Sequence, residues 1–542
     1  MLGKFGLRLA IWVFCTCVRV SVAEFDVVGA LTEKGINVKG YSLSALDVGS
    51  NCAFACDSLS LLFHNSTISH SGSAYNSFES QYWSQQQGEV KPYCVFRPRS
   101  AEEVSIALLL SRLAQCPFAV KSGGHVPFAG ASNVQGGVTF DMSALNSISL
   151  SENKSVASIG PGNTWFDVYS ALEQEELTVI GGRVAAIGVG GLTLGGGISF
   201  FSGLHGWACD NVVNFEVVIA DGTILDVNES TYPDLYWALR GGGNNFGIVT
   251  RFDLETYHQE LMWGGDQFYL MAHNQSAIEA FIEFGYNSTL DPNAALIVSF
   301  VYAQAQRQYL MVCSFEYAAP IENPPIFSTF LSIPNVEDTT MIQNLSNITL
   351  EFNAFNPSGL RQTFWTATYK LNGTLASFIV QTYVDETRPL ENVTGIVPAC
   401  VLQVITANEI AHMMKSGGNA LGLEPSDAPL MLLELGFTWE DVSDDDAILK
   451  AASNIVQKSV AQAKAWDLDF DYLYMNYASQ FQDVIPSYGK RNSKRLASIA
   501  KKYDPQEVFQ KLQPGYFKLH GAPASTAPQY FKNPSKSYDL NQ

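Results

Sequence analysis

The chain has 542 residues, more than a single hydrophobic core usually organises, so at least two domains are expected. Its 52 acidic residues outnumber its 32 lysine and arginine residues, and the formal net charge of −20 argues against a protein that binds nucleic acid through phosphate contacts. An acidic surface mainly favours solubility and says little about a small-molecule substrate.

Residues 1–23 have the pattern of a secretory signal peptide. Lys4 and Arg8 precede an apolar stretch over residues 9–18, and Ser-Val-Ala at residues 21–23 supplies the small side chains of a cleavage site. The apolar stretch is too short to span a bilayer, and no later segment qualifies. N-x-S/T triplets begin at Asn65, Asn153, Asn228, Asn274, Asn287, Asn344, Asn347, Asn372 and Asn392. We therefore expect a glycoprotein that is secreted or kept in the secretory pathway.

Seven cysteines follow the signal peptide, and their odd number leaves at least one thiol free or paired with another chain. They are Cys52, Cys56, Cys94, Cys116, Cys209, Cys313 and Cys400. An oxidising compartment would permit the first four to form two disulfides. Their connectivity stays open at the level of the sequence.

A buried strand that ends in a glycine turn is predicted at residues 118–125. Phe-Ala-Val at residues 118–120 is apolar, and Lys-Ser-Gly-Gly-His follows at residues 121–125. Adjacent glycines lack Cβ atoms, so their backbone N–H groups can approach a pyrophosphate closely. His125 would then stand beside whatever group the phosphate carries.

A second glycine-rich segment occupies residues 187–197, with the sequence Ile-Gly-Val-Gly-Gly-Leu-Thr-Leu-Gly-Gly-Gly. Its bare backbone could lie against a flat ring. Together the two segments indicate a dinucleotide cofactor, with His125 as a candidate for covalent attachment, although a simple turn and a simple loop are the alternative. The G-x-G-x-x-G fingerprint of Rossmann folds, with its acidic residue about twenty positions later, is absent from the sequence.

Elements around these segments predict a mixed α+β domain rather than a repeating βαβ sheet. A strand is predicted at residues 138–141, and an amphipathic helix at residues 164–177 with Thr164 as its N-cap. Residues 215–220 and 223–227 flank an Asp-Gly turn and predict a hairpin.

The sequence changes character after residue 261. Long apolar runs at residues 294–302 and 309–317 predict a pair of strands, and residues 447–465 have the pattern of a helix. No internal repeat or low-complexity linker interrupts the sequence.

Several motifs in fixed order resemble the FAD-linked oxidases of the vanillyl-alcohol oxidase superfamily, in particular the berberine-bridge-enzyme-like branch. They lie at residues 92–104, 118–125, 206–212 (Gly-Trp-Ala-Cys-Asp-Asn-Val), 234–250 (including Arg-Gly-Gly-Gly-Asn-Asn-Phe-Gly), 474–477 (Tyr-Met-Asn-Tyr) and 502–509. The resemblance covers about residues 50–520. It implies a two-domain PCMH-type FAD-binding fold of the α+β class.

The domain limits follow from this resemblance. It implies an FAD-binding domain over residues 50–261 and a substrate domain over residues 262–470, in which an antiparallel sheet backed by helices forms the roof of the active site. Residues 471–520 would return to the FAD-binding domain.

The resemblance also implies how FAD is held. His125 matches the histidine that is joined to the 8α-methyl carbon of the flavin. Many relatives add a second bond through a cysteine, but Val184 stands at that position, so we expect linkage through His125 only. The other expected flavin contacts are Ser122, Gly123, Gly124, Gly188, Gly191, Asn245, Gly247, Ile248 and Val249.

Three residues are candidates for catalysis. Tyr477 matches a tyrosine over the flavin and could act as the base, which requires its pKa to fall by roughly 3 units from about 10; the alternative is a wall residue. Gln403 and Glu434 lie in apolar runs of the substrate domain and could face the cleft. Because an unpaired buried carboxylate is costly, we expect Glu434 at an exposed sheet face, unless it is functional.

Other polar residues are expected to be structural. Asp210 and Asn211 should fix a local turn, and His205, His258 and His412 lack a second ligand at metal spacing, so no metal site is expected.

The function implied by the resemblance is a secreted FAD-linked oxidase. It would abstract a hydride from a C–OH or C–N carbon of a specialised metabolite, with oxidative cyclisation as one variant, and O2 would reoxidise the flavin to give H2O2. Ile187 stands where relatives that react quickly with oxygen carry valine, so a dehydrogenase that uses another acceptor remains open. The alternatives are an oligosaccharide oxidase acting at the anomeric carbon and a flavin-binding protein without turnover.

Overall fold

The structure is a computed structural model that describes residues 25–38 and 48–523. The predicted signal peptide lies outside the described residues. No helix in the described part of the chain is long and apolar enough to cross a membrane. The helices, in chain order, are α1 (Val27–Glu33), α2 (Val48–Leu62), α3 (Ser73–Glu79), α4 (Gln85–Gly88), α5 (Ala101–Ala114), α6 (Trp165–Leu172), α7 (Val189–Leu194), α8 (Ser202–His205), α9 (Pro233–Leu239), α10 (Asn274–Asn287), α11 (Ser328–Leu331), α12 (Leu345–Ala354), α13 (Gly373–Thr387), α14 (Ala407–His412), α15 (Asp445–Ala465), α16 (Val484–Ser487), α17 (Lys490–Tyr503) and α18 (Val508–Lys511).

The first sheet holds the turn that carries His125. Its strands are β1 (Thr67–Ser69), β2 (Cys94–Phe96), β3 (Phe118–Lys121) and β4 (Val138–Asp141), in the order β1-β2-β4-β3. Strands β2, β4 and β3 are parallel, and helix α5 makes the crossover from β2 to β3. Ser100 caps α5 by accepting a hydrogen bond from the backbone N–H of Glu103. The strands predicted at residues 118–120 and 138–141 are confirmed as β3 and β4.

Two disulfides join helix α2 to this sheet. Cys52 is bonded to Cys116, which follows α5, and Cys56 is bonded to Cys94 at the start of β2. The four early cysteines therefore pair with one another. The odd number is explained by three free, buried cysteines, Cys209, Cys313 and Cys400.

Replacing Cys52 and Cys116 together with serine is expected to lower the free energy of unfolding by about 4 kcal/mol, since the lost bond joins residues 64 positions apart and restricts the unfolded chain. The shift of the urea midpoint at unchanged slope measures this loss. Wild-type protein in reductant is the control, and its free energy of unfolding should fall further, because both disulfides are reduced. An unchanged midpoint in the variant would contradict the prediction.

The second sheet has six strands in the described part of the chain. They are β5 (Ile148–Leu150), β6 (Val156–Ile159), β7 (Leu177–Val179), β8 (Val212–Val218), β9 (Ile224–Val227) and β10 (Ile248–His258). The order is β5-β6-β10-β8-β9, and β7 also pairs with β10. The predicted hairpin is confirmed as β8 and β9.

Helix α6 is shorter than the sequence predicts. Thr164 is its N-cap as expected and forms a capping box with Asp167, but the α-helix ends at Leu172 instead of residue 177. A 3₁₀ turn follows, and Glu176 has a left-handed conformation with φ of +54°, which directs the chain into β7. Part of the second glycine-rich segment is also helical, as α7, rather than a loop throughout.

The third sheet is antiparallel and has nine strands in the described residues. They are β11 (Met262–Leu270), β12 (Ala294–Ala303), β13 (Gln308–Tyr317), β14 (Glu337–Asp338), β15 (Met341–Gln343), β16 (Arg361–Lys370), β17 (Val397–Ile405), β18 (Leu430–Trp439) and β19 (Asp469–Phe470). The order is β14-β11-β13-β12-β17-β18-β16-β19, with β15 on β11. The predicted pair of strands is confirmed as β12 and β13, and the predicted helix as α15.

The two faces of this sheet have different neighbours. Val298 and Phe300 of β12 pack in a core with residues of α10, α13 and α15. The alternate residues Ile297, Ser299 and Val301 line a cavity on the other face. This alternation follows from the two-residue period of a strand and makes the sheet the roof of that cavity.

The chain after β19 returns to the first two sheets. The Arg495 guanidinium of α17 lies 3.8 Å from the ring centroid of Trp237 on α9, and Lys502 pairs with Asp234 at 2.6 Å. The backbone N–H of Phe118 in β3 donates to the carbonyl of Leu512 at 2.7 Å. The C-terminal segment therefore packs against the part of the chain that carries the glycine turns.

Candidate active site

A cavity of about 650 Å³ lies between the roof sheet and the glycine-rich segments. Most residues predicted to contact the flavin or substrate line it: Ser122, Gly123, Gly124, His125, Gly188, Gly191, Gly247, Ile248, Val249, Gln403, Glu434 and Tyr477. Residues from positions far apart in the sequence therefore meet in one place.

The two glycine turns pack directly on each other. A Cβ atom on Gly123 would lie 2.4 Å from the backbone nitrogen of Gly188, and one on Gly188 would lie 2.2 Å from that of Gly123. The Ser122 hydroxyl accepts from the N–H of Gly190 at 3.1 Å and donates to the Pro161 carbonyl at 2.6 Å. Glycine is needed at positions 123 and 188 for this close approach, beyond any approach to a ligand.

His125 lines the cavity next to the first glycine turn. Its ring stacks on Trp83 with centroids 4.1 Å apart and an interplanar angle of 12°. Its Nε2 atom is buried and has no hydrogen-bond partner in the described part of the chain. Burial lowers the pKa of His125 to about 4, so the imidazole is neutral near pH 7.

Val184 and Ile187 line the cavity on the same segment. This segment is held in place because the backbone N–H of Trp165 donates to the carbonyl of Ile187 at 3.0 Å, and that of Phe166 donates to Ala185 at 3.2 Å. Among the described residues that line the cavity there is no cysteine.

Asn245 differs from the prediction, since it does not line the cavity. Its side chain is buried and donates to the carbonyls of Gly242 at 2.8 Å and Phe517 at 2.9 Å. The neighbouring Asn244, which sequence reasoning missed, lines the cavity and accepts from Lys518 at 2.9 Å. Asn245 therefore holds the turn, and Asn244 is the member of the pair that lines the cavity.

The polar residues of the Tyr-x-Asn-Tyr motif all line the cavity, and Tyr474 and Asn476 also hold the glycine-rich segment. The Tyr474 hydroxyl accepts from the backbone N–H groups of Gly197 at 3.1 Å and Ile198 at 3.0 Å. Asn476 donates to the carbonyl of Leu192 at 3.0 Å. These contacts fix the end of the glycine-rich segment under Tyr477.

The hydroxyl oxygen of Tyr477 accepts hydrogen bonds from two side chains. The Arg183 guanidinium donates to it, and Gln403 Nε2 donates to it at 3.3 Å. Burial raises the pKa of Tyr477, nearby Glu434 raises it further, and Arg183 opposes both. The downward shift that a tyrosine base would need is therefore not present, and the hydroxyl stays protonated near neutral pH.

Glu434 lies on the cavity face of β18, not at a solvent-exposed face as expected. Its register partners are Val401 of β17 and Thr366 of β16, and the helix-backed core is on the other side of the sheet. Burial raises the pKa of Glu434 to about 7, against the opposing charge of Arg183. A carboxyl group that exchanges its proton near neutral pH suits a general base.

Arg183 is a cavity residue that sequence reasoning missed. It follows Gly181 and Gly182 and is the sole charged residue in the sequence between Glu176 and His205. A single cation in a long apolar, glycine-rich stretch is the signal that could have revealed it.

The residues expected to be structural have structural contacts. Asp210 accepts from the N–H of Trp207 at 3.0 Å, and Asn211 donates to the Trp207 carbonyl at 2.8 Å. His205 stacks on Tyr257 with centroids 3.7 Å apart. Within the described ranges no group of three or more His, Cys, Asp or Glu residues could hold a metal ion.

Comparisons with known proteins identify the family. The chain matches the family models described as FAD binding domain, over residues 92–228, and berberine and berberine like, over residues 473–514. It is 40% identical over 458 residues to the FAD-dependent monooxygenase tpcD of Cochliobolus heterostrophus, which covers 82% of this chain and 88% of that protein. This chain belongs to the FAD-dependent oxidoreductases of the berberine-bridge-enzyme-like branch. The FAD-dependent monooxygenase FUP4 of Fusarium proliferatum is 39% identical to this berberine-bridge-enzyme-like protein over 496 residues, 86% of this chain and 95% of that one.

The fold of this berberine-bridge-enzyme-like oxidoreductase is also found among solved structures. The xylooligosaccharide oxidase from Myceliophthora thermophila, in complex with xylobiose, superposes with a TM-score of 0.68 at 18% identity, covering 87% of this chain and 100% of that one. The predicted α+β, PCMH-type fold is confirmed.

The cavity fits the FAD that this family binds. The unpartnered Nε2 of His125 faces no competing protein group in the described part of the chain, and a Cβ atom on Gly191 would meet nothing within 4 Å. The volume of about 650 Å³ is in the usual range for a small-molecule site. The residues present can therefore hold a flavin against the glycine turns and leave the roof for a substrate.

Proposed function

We propose that this enzyme is an FAD-linked oxidase of specialised metabolism that removes a hydride from a carbon bearing a hydroxyl or an amine, with oxidative cyclisation as one variant. O2 accepts the electrons and is converted to H2O2. The observation that carries the proposal is the convergence of Glu434, Tyr477 and Gln403 from the roof and C-terminal segment above the glycine turns. A titratable carboxyl group opposite a flavin site is the arrangement that coupled hydride and proton removal requires.

Covalent attachment through His125 alone is part of the proposal. Burial keeps the His125 imidazole neutral, so a ring nitrogen has a free lone pair for bond formation. Val184 has no sulfur to form a second bond. A covalent bond would prevent loss of the cofactor and fix the ring for the chemistry that follows.

Different side chains would accept the proton, orient the substrate and exclude water. When bound, FAD would take up a hydride from the substrate. Glu434 would accept the proton of the reacting hydroxyl or amine, since a base with a pKa of about 7 is partly ionised at neutral pH and still binds the proton. Tyr477, held by Arg183 and Gln403, would orient the substrate oxygen through its own hydroxyl. The apolar roof would exclude water from these groups.

The cavity walls favour a metabolite over an oligosaccharide. Among the described residues that line the cavity, Arg183, Glu337 and Glu434 are the acidic and basic side chains, and His125 is neutral near pH 7. Roof and rim residues include Phe268, Ile297, Val301, Leu310, Val312, Phe352, Phe355 and Phe364. These residues suit a largely apolar skeleton, and the amide and hydroxyl groups that also line the cavity, among them Asn356, Gln403 and Thr438, suit a few polar substituents on it.

Isotope labelling tests the oxidase reaction. The purified enzyme is incubated under ¹⁸O₂ with a panel of aromatic alcohols, phenols and benzylic amines, with lactose and cello-oligosaccharides as comparison compounds. An oxidase gives H2O2 in proportion to substrate consumed and a product without ¹⁸O. One ¹⁸O atom per product would instead indicate a monooxygenase, as the relatives tpcD and FUP4 are named. Oxidation of the sugars alone would favour the oligosaccharide alternative, and no turnover anywhere would favour a non-catalytic flavoprotein.

Secretion is also proposed, from the predicted signal at residues 1–23 and the two disulfides, which form in oxidising compartments. Expression of the full chain in a secreting fungal host, followed by N-terminal sequencing of protein from the medium, tests it. Absence from both the medium and the glycosylated fraction of the cells would contradict secretion.

Replacing Ile187 with valine is expected to raise the rate constant for reaction of the reduced enzyme with O2 by about tenfold, since one methylene in a confined pocket can have this effect. Stopped-flow mixing with oxygenated buffer measures it. Ile198→Val, also in the cavity lining, is the matched control and should leave the rate unchanged. An equal rise in both variants would show that general loosening, not position 187, controls oxygen access.

A further inference from the structure

Arg183 is a positive charge held inside the cavity. Its guanidinium lines the cavity and donates to the hydroxyl of Tyr477, so it lies beside the proposed reacting centre. The backbone that carries it is fixed, because Cβ atoms on Gly181 and Gly182 would lie 2.0 Å and 2.5 Å from the Trp165 ring. The side chain is therefore directed into the cavity by a rigid segment.

This cation has no ion-pair partner within 4 Å among the residues that the structure describes. The hydrogen-bonded partner is a tyrosine that burial keeps neutral. An enclosed cation without a close anion is costly, so such sites usually have a ligand or partner that supplies the charge.

Other titratable groups near Arg183 do not supply that charge in full. Burial raises the pKa of Glu434 to about 7, so this carboxyl is partly protonated at neutral pH. Glu316 on β13 is buried, both of its carboxyl oxygens lack a hydrogen-bond partner in the described ranges, and burial raises its pKa well above the usual value. Tyr474 is likewise held neutral by burial, which raises its pKa to about 12.

Apolar residues of the cavity strengthen the electrostatic interactions of the Arg183 charge. Phe364 lies against Tyr477 with ring centroids 6.3 Å apart, and Val401 of the roof also lines the cavity. In such surroundings a charge interacts more strongly than in water, and a planar guanidinium can bind two oxygens of an anion at once.

We propose that Arg183 recognises an anionic oxygen of the substrate, a phenolate or carboxylate carried by a largely apolar skeleton, and so selects ionised over neutral ligands. This inference rests on the proposed function in that it places the substrate in the same cavity. It names a specificity-determining residue and a substrate class: acidic aromatic metabolites rather than neutral alcohols or sugars.

Calorimetric titration of the flavin-loaded protein tests this. The probes are 2,4-dinitrophenol at pH 6, where this phenol is ionised and Glu434 is still mostly protonated, and 2,4-dinitroanisole, the methyl ether of the same skeleton, which cannot ionise. Wild-type protein should bind the phenolate about tenfold more tightly than the ether, the effect of one charge-assisted hydrogen bond. Arg183→Met, which keeps the length and removes the charge, should lose this preference while its affinity for the ether is unchanged. Arg183→Lys should retain part of it.

Tyr477→Phe is the matched control. It removes the hydroxyl that Arg183 contacts but keeps the cation, so the preference for the phenolate should persist. Equal affinity of wild-type protein for both probes, or the same preference in Arg183→Met as in wild type, would overturn the proposal. So would a shifted flavin midpoint potential in Arg183→Met with an unchanged probe preference, which would assign the charge to the cofactor. Binding is measured without turnover, so a protein that selects the phenolate but oxidises nothing would count against the proposed function and not against the role of Arg183.

Discussion

Replacing Glu434 with glutamine is expected to lower kcat by about 10²- to 10⁴-fold, the usual contribution of a general base. Glutamine has nearly the same shape and can still form hydrogen bonds, but it cannot accept a proton at this position. KM should change much less, because the apolar walls that bind the skeleton are retained. Steady-state oxygen consumption with the best substrate of the panel measures both constants.

The pH dependence gives a second, independent readout of Glu434. A base works in its deprotonated form, so the activity of the wild-type enzyme should rise with pH through about 7, where burial places the pKa of this carboxyl. Below that pH the group is protonated and the rate should fall tenfold per unit. The rise of activity with pH through about 7 should be absent in Glu434→Gln, because this variant lacks the carboxyl group that ionises there.

Two variants decide how this result is interpreted. Glu440→Gln changes an exposed carboxylate just beyond the end of β18 and should leave kcat and the pH profile unchanged. Tyr477→Phe should lower kcat less than Glu434→Gln does, because burial keeps this tyrosine protonated and it cannot act as the base. A profile in which Tyr477→Phe loses most of the activity and Glu434→Gln little would assign the base to Tyr477 and contradict the mechanism proposed here.

Replacing His125 with alanine is expected to abolish covalent flavin and to reduce kcat by about 10²-fold, the cost of a reacting ring that is no longer fixed in position. Wild-type protein should keep its flavin after acid denaturation and proteolysis, on the peptide that contains His125 and on no other. The variant should release all of its flavin into the supernatant. Mass spectrometry of the peptides and absorbance of the supernatant measure the two pools.

His258→Ala is the control for the loss of a histidine, because His258 is mostly exposed and its nearest carboxylate is 3.9 Å away. It should retain covalent flavin in full. Flavin on a second peptide of the wild-type protein would contradict a single linkage. Complete release of flavin from the wild-type protein would remove covalent attachment from the proposed function while leaving FAD binding itself intact.

Much of the fold could be predicted from short-range patterns. The N-cap at Thr164, the Asp-Gly hairpin after residue 220 and the paired strands β12 and β13 depend on residues within a few positions of one another, so their signals are present in the sequence. The predicted length of helix α6 was wrong because the left-handed turn at Glu176 is set by where β7 must join its sheet, not by local propensity.

The error at Glu434 has a specific physical cause. The run Leu430–Trp439 is nearly continuous in its apolar character, and a charge within such a run is expected to face water. In the structure both faces of β18 are covered: Leu433 and Leu435 pack in the helix-backed core, while Glu434 and Gly436 line the cavity. A strand with two covered faces has a place for a carboxyl group only if a cavity lies on one side, and the sequence of the strand does not contain that information.

The sequence by itself determined the glycine turns, the position of His125 after them and the pairing of β12 with β13, because each depends on neighbouring residues or on an ordered set of motifs. The tertiary structure alone decided the disulfide pairing, the cavity position of Glu434 and the contact between Arg183 and Tyr477. Arg183 and Tyr477 are 294 positions apart in the sequence, and Gln403 is 74 positions from Tyr477. Such contacts depend on how the roof sheet is placed over the glycine turns, which is set by packing across the whole chain and leaves no local pattern to read.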